Sequence, residues 1–284
     1  MTTIDAGTRA LRSSVAYHQP AHLTAVEVRG AGAFDAVDRL VSADLYLHEG
    51  QARQALILGE DGAVASDVIV ALVEGNYWLI CDGVSARELA LLLREGARGT
   101  RLDTVNLLEA HRLVSLHGPF AWELAAAWAG PGLVSLPPLA LSRSTLGRVL
   151  RAGRTGEYGY EFLVPHDDVG EQLERLATLG RSFSAEPITL DALDRCSLEN
   201  GGFVSRTERL AGLTPFELQL QWRTSSRKDY RGRAAFERRR EAASRRIAWF
   251  RSAAPVSPGS ALRAGDGDHG EVVAAFETSA GESA

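Results

Sequence analysis

Apolar and polar positions along the chain fall into strand-then-helix units. Residues 23–30 alternate as a strand that ends at a glycine, and residues 32–41 follow with Phe34, Val37 and Leu40 at the spacing of one helical face. The same plan recurs at residues 112–119, again a strand running into a glycine, and at 120–128, where Pro119 suits the first turn of a helix. This recurrence predicts two related lobes. Further helices are predicted near 85–95, 168–177 and 189–199, and strands at 77–81 and 147–152. Past residue 246, the runs 247–250 and 271–276 read as strands separated by Pro, Ser, Gly and Asp. The fold class predicted is α+β.

Composition narrows the classes of function. With 284 residues, 45% of them hydrophobic, the chain can bury a substantial core. No run approaches the roughly twenty apolar residues of a membrane span, and the N-terminus lacks the basic-then-apolar order of a signal peptide, so a cytoplasmic protein without a membrane partner is expected. A net charge of -5 argues against nucleic acid. The basic cluster Arg238, Arg239, Arg240, Arg245 and Arg246 reads as a solvated helix face. Cys81 and Cys196 lie far apart and form no C-x-x-C, so both are expected to be buried, unpaired side chains. His18, His22, His111 and His117 have no metal-ligand spacing, and no metal is expected. Neither a G-x-G-x-x-G loop nor a G-x-S-x-G elbow is present.

The most informative segment is residues 151–165, where a glycine-punctuated polar turn runs straight into a strand. Alternation puts Tyr160 and Phe162 on one face and Glu161 on the other. This segment resembles the R-T-G-Y-T-G-E-D-G-F-E signature of the glycine-cleavage T-protein (aminomethyltransferase) family, in register from Arg151 to Glu161. Residues 56–70 are similar to that family's strand, E-D-G turn and D-D-L-I-V strand, with Ser66 for the first Asp and Asp67 for the second. Residues 213–222 and 228–233 are similar to its T-P-x-E-x-G-L-x-W and K-x-D-F-x-G segments. Three ordered motifs at plausible spacing are far more specific than one.

The resemblance implies a folate-binding body of related α/β lobes around a central hole, over residues 1–240, and a C-terminal β-barrel-like segment over 241–284, shortened relative to the family. It implies tetrahydrofolate, or a one-carbon derivative of it, as cofactor. The implied activity is transfer of a methyl, methylene or hydroxymethyl unit to or from a small-molecule substrate, with a non-catalytic folate-binding scaffold or regulatory subunit as the alternative. By position, Asp67 inherits the role of catalytic carboxylate and Glu161 that of pterin anchor. One carboxylate can accept the two adjacent N–H donors of a reduced pterin. Tyr160 and Trp222 are candidates for apolar walls, Trp222 with a core position as its other reading. Departures from the family fall at folate-contact positions: Arg154 replaces a Tyr, Ser197 an Arg and Asp82 an Asn. Either Arg154 or Arg195 could restore the charge missing at Ser197. The shortened barrel implies a homo-oligomer or a partner subunit over its edge.

Overall fold

The computed structural model describes residues 5–264 and 267–276. In chain order the elements are α1 (Ala6–Ser13), β1 (Ala16–His18), β2 (Leu23–Arg29), α2 (Ala33–Leu40), β3 (Ala52–Leu58), β4 (Val64–Val73), β5 (Asn76–Asp82), α3 (Ala86–Ala97), β6 (Asp103–Asn106), β7 (His111–His117), α4 (Ala121–Ala129), β8 (Ala140–Ser144), β9 (Gly147–Arg151), β10 (Gly159–Pro165), α5 (Val169–Gly180), β11 (Glu186–Pro187), α6 (Leu190–Glu199), α7 (Arg233–Glu241), β12 (Ala261–Ala264) and β13 (Gly267–Glu271). They build a five-stranded sheet of order β3-β4-β5-β2-β6, a six-stranded sheet of order β11-β1-β7-β10-β9-β8, and a two-stranded ribbon β12-β13.

The two large sheets face each other, and strand alternation explains why. On β4 and β5 one set of side chains, Ile69, Ala71, Val73, Trp78 and Ile80, meets Leu113, Leu150 and Leu163 of the other sheet in a buried layer. The opposite faces carry helices. Val68, Val70, Leu79 and Cys81 pack under α2 and α3, while Val114, Leu116, Tyr160 and Phe162 pack under α4 and α5. Trp128 of α4 meets Phe162 edge-on at 4.9 Å, a favourable aromatic geometry. Layers therefore run helix, sheet, sheet, helix, and each sheet is buried on both sides.

Both predicted strand-turn-helix units form, β2 with α2 and β7 with α4. Each turn uses a glycine at positive φ, Gly30 at 102° and Gly118 at 133°. At Gly118 a Cβ would lie 2.3 Å from the Ser14 carbonyl oxygen, so only glycine fits there. The buried face of α2 is Ala33, Ala36, Val37 and Leu40. Phe34, expected on that face, is exposed, because it lies one residue off the 33-36-37-40 stripe. The helices expected at 85–95, 168–177 and 189–199 form as α3, α5 and α6.

Differences concentrate in the last part of the chain. Residues 247–250 and 272–276 are not strands; the strands there are β12 and β13, which pair only with each other. The apolar side chains of the expected strands are used otherwise: Ile247 and Val273 pack onto the cluster of Leu56, Leu58, Leu210, Leu218 and Phe236 that closes one side of β3. The basic cluster forms surface ion pairs, Arg240 with Glu237 and Arg239 and Arg245 with Glu217, and Arg246 lies over the Phe216 ring. Cys81 and Cys196 are free and buried, and burial pushes their thiols up to about 12 and about 11. Among the described residues, no helix is long and apolar enough to cross a membrane.

Candidate functional site

At one end of the inter-sheet layer the pattern changes from apolar to charged. Continuing β4 from Ile69 by two residues gives Asp67, and continuing β5 from Ile80 by two gives Asp82; the register pairs these two aspartates directly across adjacent strands. On the facing sheet the same step from Leu163 gives Glu161, and from Leu113 gives Ser115 and then His117. Ser115 is paired with Glu161 on one side and with His18 on the other. Period-two alternation alone thus aims two carboxylates from one sheet at a carboxylate, a hydroxyl and two imidazoles from the other.

Glu161 is 5% exposed and accepts a hydrogen bond from the Ser115 hydroxyl. Burial dominates its titration and raises the carboxyl from 4.5 to about 7, with Ser115 and the nearby Arg154 guanidinium acting in the opposite sense. The Tyr160 and Phe162 neighbours point away into the helix-covered core, as alternation requires. Tyr160 therefore supports the strand that carries Glu161 and is not on its face.

Asp67 is 8% exposed and held by two arginines, Arg154 Nη1 at 3.4 Å and Arg223 Nη1 at 3.0 Å. Arg154 reaches inward because its loop is folded tightly. A Cβ on Gly159 would lie 2.5 Å from both the Ala152 carbonyl oxygen and the Gly153 Cα, so the loop's two ends touch through backbone. Arg12 of α1 fastens the same loop, donating to the carbonyls of Thr155 and Cys196 and pairing with Glu157 and Glu199. Arg223 follows Trp222 in the 213–222 motif, and its carbonyl accepts from the buried Ser42 hydroxyl. The Glu of that motif, Glu217, faces elsewhere: it accepts from the backbone and hydroxyl of Thr214 and stays structural.

Asp82 has a different partner. Arg206 Nε contacts it at 2.8 Å, while the other two nitrogens of that guanidinium make a bidentate pair with Asp194, both contacts at 2.9 Å. His22 lies in the field of these groups, and His117 in that of His18 and Arg154. Burial lowers His22 to about 4, with Arg206 helping, and His117 to about 3, so both are neutral at pH 7.

The structure brings Asp67, Asp82, Glu161 and Arg154 together. It does not bring Arg195, which lies near Asp5 beside α1, nor Ser197, whose hydroxyl is packed against Gly202. Arg154 turns toward Asp67 and Glu161. Trp222 is 67% exposed and stacks over Arg223, so the core reading of Trp222 is corrected. Arg206, Arg223 and Ser115 were not singled out by the sequence. Arg223 had one signal, adjacency to Trp222; Arg206 had none, being one arginine among many. A groove of about 700 Å³ lies apart from the carboxylates, between residues 198–220 and 247–276.

The GCVT N-terminal domain family matches residues 1–228, and the chain belongs to that family. Among curated relatives, the aminomethyltransferase of Methylococcus capsulatus is 26% identical over 238 residues, 81% of this chain and 64% of the relative. That of Mycobacterium tuberculosis is 29% identical over 244 residues, 84% of this chain and 66% of the relative. The chain spans about two thirds of the length of these relatives. The crystal structure of glycine cleavage system aminomethyltransferase T from Bartonella henselae has the same fold, with a TM-score of 0.79 at 21% identity over 95% of this chain and 76% of that one.

Proposed function

We propose that the protein is a tetrahydrofolate-dependent one-carbon transferase acting on a small-molecule substrate. The observation that supports this best is the placement of Asp67 and Glu161 on opposing sheets at one polar end of an otherwise apolar layer. The residues fit a reduced pterin. Glu161 is a buried acceptor with one hydroxyl partner, and in the signature loop the Thr155 hydroxyl is buried with no partner among the described residues. A carboxylate in that position accepts two adjacent N–H groups, and hydrogen bonds to an ionised acceptor are about twice as strong as neutral ones. Tetrahydrofolate, when bound, supplies the nitrogens that carry or receive the one-carbon unit.

The protein's own part is positioning and charge. Arg154 and Arg223 fix the orientation of the Asp67 carboxylate from two sides. Held there, Asp67 stabilises positive charge that develops on the one-carbon unit, or passes a proton at its free edge. The apolar layer behind Ile69 and Ile80 excludes water from one side of the reacting atoms. Names of the relatives point to aminomethyl transfer, and this chain shares their fold over most of its length. Asp67→Asn should retain tetrahydrofolate binding within about threefold and lose at least 100-fold in one-carbon transfer, the scale of a general acid-base contribution. Unchanged turnover in that variant would remove Asp67 from the mechanism.

A further inference from the structure

The charges around the site are divided unevenly. On the Asp67 side two guanidinium groups, Arg154 and Arg223, share one carboxylate. On the Asp82 side one guanidinium, Arg206, is shared by two carboxylates, Asp82 and Asp194. Asp67 and Asp82 are directly opposed on neighbouring strands, so their Cβ atoms are about 5 Å apart. Arg154 also faces Glu161, whose carboxyl burial raises to about 7, so while Glu161 is protonated one excess positive charge and one excess negative charge stand side by side, a separation that one small molecule spans.

Unpartnered buried atoms match the two ends. Beside the positive end, Arg154 Nη2 and Arg223 Nε are buried donors with no acceptor among the described residues. Beside the negative end are buried imidazole nitrogens without partners among the described residues, on His18 and His22. His117, 1% exposed, lies between His18 and Arg154, and neither of its ring nitrogens is bonded among the described residues. The His18 Nδ1 lies 3.1 Å from the Ile188 carbonyl oxygen, which requires the proton on Nδ1 and leaves Nε2 as an acceptor. An unpaired polar group in such a place costs free energy unless something else bonds it. Donors at the positive end call for a carboxylate, and acceptors at the negative end call for a cation that still carries N–H.

We propose that the small-molecule substrate is a free amino acid, bound with its carboxylate between Arg154 and Arg223 and its ammonium between the Asp82–Arg206–Asp194 cluster and the histidines. This rests on the one-carbon-transferase reading and names its substrate class. A quaternary ammonium fits the charge but not the imidazole acceptors, so an N–H-bearing ammonium is preferred. Asp194 pairs with Arg206 and faces His18 and His22, and its replacement changes the charge of that end without touching the pterin anchor.

Ligand-observed NMR titration of the full chain at pH 6, where Glu161 is protonated, tests this, using glycine, trimethylglycine, acetate and methylammonium as probes and tetrahydrofolate as a separate titrant. Glycine is expected to bind at least tenfold more tightly than acetate, methylammonium or trimethylglycine. Asp194→Asn should weaken glycine about tenfold and leave tetrahydrofolate unchanged; Arg154→Gln should weaken glycine and acetate about tenfold and leave methylammonium unchanged. Equal binding of glycine and its single-charge analogues, or no glycine binding in a protein that does bind tetrahydrofolate, overturns the substrate class and leaves the folate reading standing. Glycine selectivity in a protein that does not bind tetrahydrofolate supports the zwitterion site and removes the folate reading.

Discussion

Glu161→Gln separates the stability of the site from its function. Burial raises the Glu161 carboxyl from 4.5 to about 7, so the folded protein holds this group protonated more readily than the unfolded chain does. A raised folded-state value contributes stability that is fully present below 4.5 and is lost as pH rises through about 7. At about 1.4 kcal/mol per pH unit, that displacement corresponds to roughly 3 kcal/mol. Gln keeps an acceptor for the Ser115 hydroxyl and cannot ionise, while its buried amide N–H groups cost about 1–3 kcal/mol at every pH. The variant should therefore melt below the parent at pH 4.5 and match or exceed it above pH 8. At about 2–4 °C per kcal/mol for a chain of this order of size, the difference in Tm changes by on the order of 10 °C across that range. Thermal melts of both proteins from pH 4.5 to 8.5 measure it. A difference in Tm that stays constant with pH would refute the claim that Glu161 is destabilised by burial.

Two glycines should respond oppositely to alanine. Gly159→Ala forces a Cβ to 2.5 Å from backbone atoms of the signature loop, so it should destabilise by at least roughly 2 kcal/mol and weaken folate binding, whereas Gly170→Ala, exposed in α5 with open space around it, should stabilise by roughly 0.5–1 kcal/mol; urea unfolding of the pair checks both. Arg12→Ala removes the contacts that tie the signature loop to α6, leaving half-buried Glu199 and two carbonyls without it, and should cost roughly 2–4 kcal/mol in the same assay.

Much of this architecture is legible in residue patterns because local and long-range preferences agree. The β2–α2 and β7–α4 units each combine an alternating strand, a glycine and a helical stripe, and both form as expected. Alternation in 158–164 places Glu161 opposite Tyr160 and Phe162, and the helix-covered core accepts the two aromatics. What resists reading is the pairing of groups brought together only by the fold. Asp67 meets Arg154 across 87 residues and Arg223 across 156. Asp82 meets Arg206 across 124, in a chain where arginines are too common for any one to stand out. The strand prediction at 247–250 fails because Ile247 packs onto the Leu56 and Phe236 cluster with a single backbone bond to the Glu217 carbonyl while Trp249 and Phe250 stay exposed, a choice that hydrophobic pattern alone does not encode.

The central claim is that Glu161 and Asp67 face one folate site. Calorimetric titration of the full chain with tetrahydrofolate, beside Glu161→Ala, tests it most directly. Saturable binding in the parent, reduced at least tenfold in the variant, is the predicted result. Absence of saturable heat in the parent, or equal affinity in the two proteins, would contradict it.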